Sequence, residues 1–414
     1  MRKLYVFQLA IATLFAIVSI ACSNDKKKTQ TTDYLLEADA AGFVMQFFDN
    51  RHDTLLLEVL GICDSLAQNS AQCYFDFFLD VWESKFSHIE MHTLFQVYRD
   101  GVNDINNNKE CVALMKDAFS EATEQSMKIL KLRLQQAGAL NISVEKTSKW
   151  GQIALNTDSV LPIDRLSHVL TGTGNLSVYE TYNQEEIFQY FSTADMYLAE
   201  TPELLLKSPT SHEESYEYSN LEQRNNDINT PLFDLLILDI VIGENGNVEY
   251  KPGCVIGYCK KTLIADLLYY LQLEELRKLF PRDMLVAWMP SSYSQSDEEY
   301  YEIITLKTHR DGKPVFTGEY IVSANSENNN GNHYLNLEFD DEGAYQFKRI
   351  IQQNVNKSLA IVIDGRLIAY PMVLSEIDEG KISISAGFSA EEAFDMALIL
   401  GSGALPLTYK LLSN

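Results

Sequence analysis

Between Tyr334 and Gly401 the apolar period changes from two to the helical spacing and back, twice over. Tyr334 to Phe339 places Leu335, Leu337 and Phe339 on one face, as a half-buried strand does. Asp340 then stands as a helix cap, Asp341 and Glu342 suit the positive end of the helix, and Ala344, Phe347, Ile350 and Ile351 form its apolar stripe. Leu359 to Ile363 reads as a short buried strand, and Asp364-Gly365 as a tight hairpin turn into Leu367 to Ala369. Lys381 to Phe388 alternates again. Ser389-Ala390-Glu391-Glu392 is a capping box, Ala393, Met396, Ala397 and Leu400 share a helix face, and Gly401 is expected to end it. Strands and helices interleaved this closely restrict the second half to an α+β fold.

The first half is patterned differently. Residues 34–111 read as mainly helical, with Phe77, Phe78, Val81 and Trp82 at helical spacing, and Leu130, Leu134 and Ala137 continue such a face up to Gly138. The period then falls to two in Ile142 to Glu145 and Gln152 to Leu155, around a turn at Lys149-Trp150-Gly151. A short helix from Asp164 to Leu170 and a strand from Leu176 to Tyr182 follow. Residues 201–230 lose the pattern: Pro202, Pro209, Glu213-Glu214 and Asn225-Asn226-Asp227 mark a long loop or insertion.

The N-terminus addresses the chain to a membrane. Arg2 and Lys3 precede an apolar run from Leu4 to Ala21, which closes in small residues before Cys22 and a polar Lys/Thr tether. Two readings fit: cleavage before Cys22 with acylation of its thiol, or an uncleaved anchor helix; each puts the body in the cell envelope, outside the cytoplasm. The next most apolar stretch, Phe233 to Ile242, is too short for a bilayer and holds Asp234 and Asp239.

Charge excludes one class of partner. With 33 Lys+Arg against 58 Asp+Glu the chain carries −25, so it has no basic surface from which to displace counterions from nucleic acid. Five cysteines remain beyond Cys22, and Cys63 to Cys73 or Cys254 to Cys259 are both open as pairs. No metal or cofactor is expected. His88 and His92 lie four apart on an expected helix, but a third ligand and the zincin order are missing. Gly172-x-Gly174 precedes a strand rather than following one, so it does not present a helix N-terminus to phosphate. No nucleophile elbow or Cys/His pairing is present. The expectation is a binding protein, not an enzyme.

Several blocks resemble a known family. Leu337-Glu338-Phe339-Asp340-Asp341-Glu342-Gly343-Ala344, Leu359 to Gly365, Ile382 to Ser389 with Glu391-Glu392-Ala393, and Gly403-Ala404-Leu405-Pro406 appear in order. They resemble the large periplasmic P1 domain of the SecD and SecDF protein-export factors. Ala122 to Arg133 is similar to that domain's opening helix, and Val255-Ile256-Gly257-Tyr258 with Leu279 to Asp283 to the versions carried by Bacteroidota.

The resemblance implies a ferredoxin-like base and an inserted αβ head. Residues 112–200 fall to the base, 231–406 to the head, and 407–414 to a returning base strand; 1–21 are the leader and 22–33 the tether. It singles out Asp364, Gly365, Pro371, Gly380, Gly387, Phe388, Gly403 and Pro406, mostly as folding positions, with Cys22 as the lipid attachment. It also implies unfolded secretory polypeptides as partners, alongside the Sec translocon or a full SecDF. The family's proton-carrying membrane carboxylates have no counterpart in this sequence, so binding without proton coupling is expected. The alternative is a structural or ligand-binding lipoprotein of the envelope built on the same fold.

Overall fold

The computed structural model describes residues 32–48, 53–68, 70–95, 105, 107–158, 161–205, 230–242, 248–295, 298–309, 312–375 and 380–412. Cys22, the leader and most of the 201–230 insertion lie outside the described residues.

The first lobe is built on a four-stranded sheet of β1 (Thr32–Ala38), β2 (Ile142–Lys146), β3 (Gln152–Thr157) and β17 (Tyr409–Leu412), in the order β17-β1-β3-β2. Every neighbouring pair is antiparallel. The helix α4 (Asn108–Gln136) lies in the crossover from β1 to β2, and α5 (Ile163–Thr171) follows β3. Strand, helix, two strands, helix and strand in that order make the split βαβ of a ferredoxin-like sandwich. The whole second lobe enters between α5 and β17.

This sheet changes one expectation. Residues 34–38 fall in the region read as helical, yet they form β1 at the centre of the sheet, with Leu36 opposite both Ile153 and Leu411. The segment Thr-Asp-Tyr-Leu-Leu-Glu-Ala does not alternate cleanly, and both its partners are distant in sequence, so tertiary pairing decides it. Three helices do follow: α1 (Ala40–Met45), α2 (Thr54–Ala67) and α3 (Tyr74–Lys85). They bury an aromatic cluster in which Phe43, Phe75 and Trp150 surround Phe119, the Trp150 ring stacking on it at 4.4 Å. That cluster is continuous with Leu36, Ile153 and Leu155 of the sheet, so strands and helices share one core.

The second lobe begins with β4 (Leu176–Thr181) and α6 (Gln184–Glu200), elements the sequence assigns to the first unit. Strand β4 instead lies inside an eight-stranded sheet, ordered β15-β14-β4-β10-β8-β5, because its edges are taken by β10 (Glu298–Lys307) and β14 (Leu359–Ile363). The others are β5 (Leu236–Leu238), β8 (Val255–Lys260) and β15 (Arg366–Ala369), with β9 (Met284–Gln295) beside β10 and β11 (Phe316–Thr317) beside β4. Helices α6 and α8 (Ile264–Gln272) cover one face through Ile187, Phe191, Leu267 and Leu271. Short elements complete this part: α7 (Pro202–Leu205), a hairpin of β6 (Ile240–Ile242) with β7 (Val248–Tyr250), and α9 (Glu274–Arg277).

A third sheet joins β12 (Ile321–Asn329), β13 (Asn332–Phe339) and β16 (Lys381–Phe388). Helices α10 (Asp341–Gln353) and α11 (Ala390–Gly401) share a core with it through Phe347, Ile351, Ala397 and Leu400. Local signals hold here: Asp340 caps α10 by accepting from the Gly343 amide, and Ser389 and Glu392 form the reciprocal box on α11. Gly401 remains helical, however. Ser402 is the cap, and Gly403, at φ 90°, takes the left-handed turn.

Candidate functional site

The lobes are connected by two chain crossings, 172–175 outward and 402–408 back, and they bond to each other where the Leu405 amide donates to the Thr173 carbonyl at 2.7 Å. Arg133, fully buried on α4, projects into the place where they meet. Its Nε donates to Ser402 Oγ at 2.9 Å, and Nη1 to the carbonyls of Val169 and Gly172 at 2.8 and 2.5 Å. Nη2 reaches the carbonyls of Thr173, Ile399 and Gly403 at 3.3–3.5 Å. All three nitrogens of the guanidinium fork are thus engaged.

Val169 and Ile399 offer carbonyls from the last turns of α5 and α11, and Gly172 and Ser402 are the caps of those helices, so the negative poles of two helices converge on one cation. Burial pushes the guanidinium down to about 10, and the nearby Asp364 charge works the other way, so it remains a cation at neutral pH.

Three further contacts tie the lobes. Arg165 of α5 holds Asp395 of α11 through two hydrogen bonds and pairs with Glu391 at 3.3 Å. Asp364 accepts from Thr173 Oγ1 at 2.6 Å and from the Asn175 amide at 2.8 Å. Gly174, at φ 78°, packs so closely that a Cβ there would sit 3.1 Å from both the Ile399 side chain and its carbonyl. The Gly172-x-Gly174 pair therefore sits where the chain passes between lobes.

The motif residues are spread along this path and beyond it. Asp364 and Gly365, at φ 50° and 75°, make the hairpin from β14 to β15, and the Gly403 carbonyl accepts from Arg133. Pro406 is half-buried in the return crossing. Gly380, at φ 62°, lies against Ala344, where a Cβ would come within 2.6 Å. Gly387, at φ 70°, lies within the register shift that precedes Phe388, which pairs with His333. Pro371 begins an extended segment: its carbonyl accepts from Leu359, while Val373 exchanges backbone bonds with Asn356 and Lys357. Asn356 adopts φ 65°, a conformation that asparagine tolerates and most side chains do not.

That segment turns Val373 inward and Met372 and Leu374 outward, 41% and 77% exposed, with Val355 also open beside them. The result is an apolar lip on the second lobe. Elsewhere, an open cleft of about 580 Å³ on the first lobe is lined by Glu37, Asp39, Asp64, Trp150, Tyr409 and Lys410, among others. Burial raises the Glu37 pKa, but hydrogen bonds from Lys149, Lys410 and Gln152 outweigh it and hold the carboxyl at about 2.

The remaining candidates come apart. His88 is exposed in the loop after α3, which ends at Lys85, and His92 sits in the 3-10 turn Met91–Leu94, so no helix presents the two together. Among the described residues no group of three His, Cys, Asp or Glu is placed to hold a metal. Cys63, Cys73, Cys111, Cys254 and Cys259 are all free thiols, so neither open disulfide is formed. No helix among the described residues is long and apolar enough to cross a membrane.

Sequence reasoning missed Arg133, Arg165 and Asp395. For Arg133 a signal existed: it falls on the apolar face carrying Leu130, Leu134 and Ala137.

Residues 292–407 match the family model described as SecDF, P1 head subdomain. Within the matched stretch lie β12, β13, α10, β14 to β16, α11 and the return crossing as far as Leu407. The chain carries a SecD/SecDF P1-like domain. The protein translocase subunit SecD of Syntrophobacter fumaroxidans is 39% identical over 104 residues, 25% of this chain and 20% of that protein. SecD of Rhodothermus marinus is 23% identical over 369 residues, covering 86% of this chain and 56% of its own length. A crystal structure of SecDF in its super-membrane-facing form aligns over 71% of this chain and 28% of that one, at 19% identity and a TM-score of 0.37. The P1-like chain thus spans between about a fifth and just over half the length of these two SecD relatives.

Proposed function

We propose that this P1-like body acts in protein export as an accessory that holds unfolded preprotein on the outer side of the inner membrane, tethered through Cys22. The observation that carries the reading is the apolar lip of Met372, Leu374 and Val355, which lies inside the stretch matching the P1 head. An extended backbone with alternate apolar side chains facing solvent offers weak, sequence-tolerant contact to an unfolded segment. Holding alone favours export, since a bound segment does not slide back; this needs no proton coupling in the chain itself. The relatives' name, protein translocase subunit, supports the Sec translocon as the neighbour.

The test is a photo-crosslinker at Leu374 of the full chain, in cells exporting a tagged protein. Adducts with the translocating chain are expected, and fewer with Met372→Ser. Adducts confined to folded envelope proteins would overturn the reading. Tethering is checked separately: fatty-acid labelling should disappear in Cys22→Ala.

The first-lobe cleft favours a second reading, a ligand-binding lipoprotein of the envelope. Exposure of the body to protease on intact cells would favour it, and shielding the export reading.

A further inference from the structure

We propose that the segment from Pro371 to Leu374 takes up an extended polypeptide as an added strand, paired through the main chain of Met372 and Leu374. This rests on the export reading and gives it a substrate class: segments whose own backbone is free to pair. The segment prolongs β15, the outermost strand of the eight-stranded sheet. Beyond the pairing of Ile361 with Ala369, the Leu359 amide donates to the Pro371 carbonyl at 3.1 Å and the Val373 amide to the Lys357 carbonyl at 2.9 Å. The Asn356 amide donates to the Val373 carbonyl at 2.8 Å, and Ser358 stands opposite Met372. Successive residues of such a ladder bond to opposite sides, so the inward bonds of Pro371 and Val373 turn the amides and carbonyls of Met372 and Leu374 outward. Among the described residues those outward groups make no backbone hydrogen bond.

An open edge of this kind is usually blocked by a charged side chain or by a proline that removes an outward donor. Neither block is present here. Pro371 to Ser375 carries no charge, and Pro371 falls on the inward side of the ladder, so its missing amide takes nothing from the outer edge. The alternating donors and acceptors match another extended backbone, and the exposed Met372 and Leu374 side chains give it an apolar face to lie along. Two side chains alone offset little of the entropy lost when a flexible segment is ordered; main-chain bonds add to them whatever the segment's sequence. A folded protein, whose backbone groups are already paired, has little to offer this edge.

The experiment titrates the full chain into a short fluorescent peptide of alternating leucine and serine, and into two analogues N-methylated on the leucines or on the serines. Only one edge of an added strand faces the lip, so one analogue should bind about tenfold more weakly and the other within about twofold of the parent. The parent peptide should also slow hydrogen exchange at the Met372 and Leu374 amides. Leu374→Pro stays apolar but loses the donor, and should weaken binding about fivefold, whereas Leu374→Val should not. The peptide analogues decide even if Leu374→Pro does not fold. Equal affinity for all three peptides, or binding that leaves the two amides unprotected, would overturn strand addition while leaving the export reading to the Leu374 adducts in cells. A failure of all three peptides to bind would also overturn strand addition, and if those adducts were missing as well the export reading would fall with it. A dimer that dissociates in Leu374→Pro would overturn the proposal by assigning the edge to a second copy of the chain.

Discussion

The Arg165 guanidinium meets the Asp395 carboxylate in two parallel bonds, Nε to Oδ2 at 2.9 Å and Nη2 to Oδ1 at 2.7 Å, joining the last helix of the first lobe to that of the second. The Asp395 side chain is 7% exposed and that of Arg165 21%, so the pair is shielded from solvent more than a surface ion pair is. The geometry also explains the Arg165–Phe394 contact, in which the guanidinium carbon lies 6.0 Å from the ring centroid.

Removing one partner should cost more than removing both. Arg165→Ala leaves a carboxylate buried without its cation, a loss of about 2–4 kcal/mol. Arg165→Ala with Asp395→Ala should cost less than the sum of the two single changes. Urea unfolding of the four proteins in the cycle gives the coupling directly; strict additivity would show that the two bonds contribute nothing jointly.

Two glycines at the lobe junction separate conformation from space. Gly403 has φ 90° with open surroundings, so Gly403→Ala should lose only the backbone strain, about 1 kcal/mol. Gly174 has φ 78° and also touches Ile399, so Gly174→Ala should cost roughly 2–3 kcal/mol. Thermal melts of the two variants rank them, and equal losses would mean that Ile399 yields without resistance.

What the sequence makes legible is local. The Asp340 cap, the Ser389–Glu392 box and the Asp364-Gly365 hairpin each involve residues within four positions of each other, and each forms as their chemistry dictates. Strand β1 does not follow from its own residues, since its place comes from partners more than 110 and more than 370 residues away. Arg133 is harder still. A carbonyl acceptor carries no residue type, so the ends of α5 and α11 leave no mark in the sequence, and only the anomaly of an arginine on an apolar helix face points inward.

Thiol chemistry should report the core directly. Burial pushes the Cys63, Cys111 and Cys259 thiols up to about 12 and Cys254 to about 11, which leaves almost no thiolate at neutral pH. Cys73 is only half-buried, although burial raises it too. Of these five, Cys73 should react first with a colorimetric disulfide reagent, the others only on unfolding; mass mapping after a short exposure identifies the residue. Early modification of Cys63 or Cys111 would mean that the first-lobe core opens readily.

The lobe should also lose stability in acid through Glu37. Burial alone would raise this carboxyl, but Lys149, Lys410 and Gln152 hold it at about 2, below its ordinary 4.5. A depressed carboxyl stabilises the fold fully above its unfolded value, and that stabilisation is lost as the pH falls from about 4.5 toward 2. Glu37 is 22% exposed and Lys410 is open to solvent, so screening leaves a contribution of about 2 kcal/mol. Glu37→Gln should therefore be less stable than the unaltered protein at pH 7, and the gap should narrow steadily below pH 4.5. Chemical unfolding at pH 7, 5, 4 and 3 traces it; a gap that stays constant to pH 3 would show that the lysine bonds do not discriminate the charged carboxylate from the neutral amide.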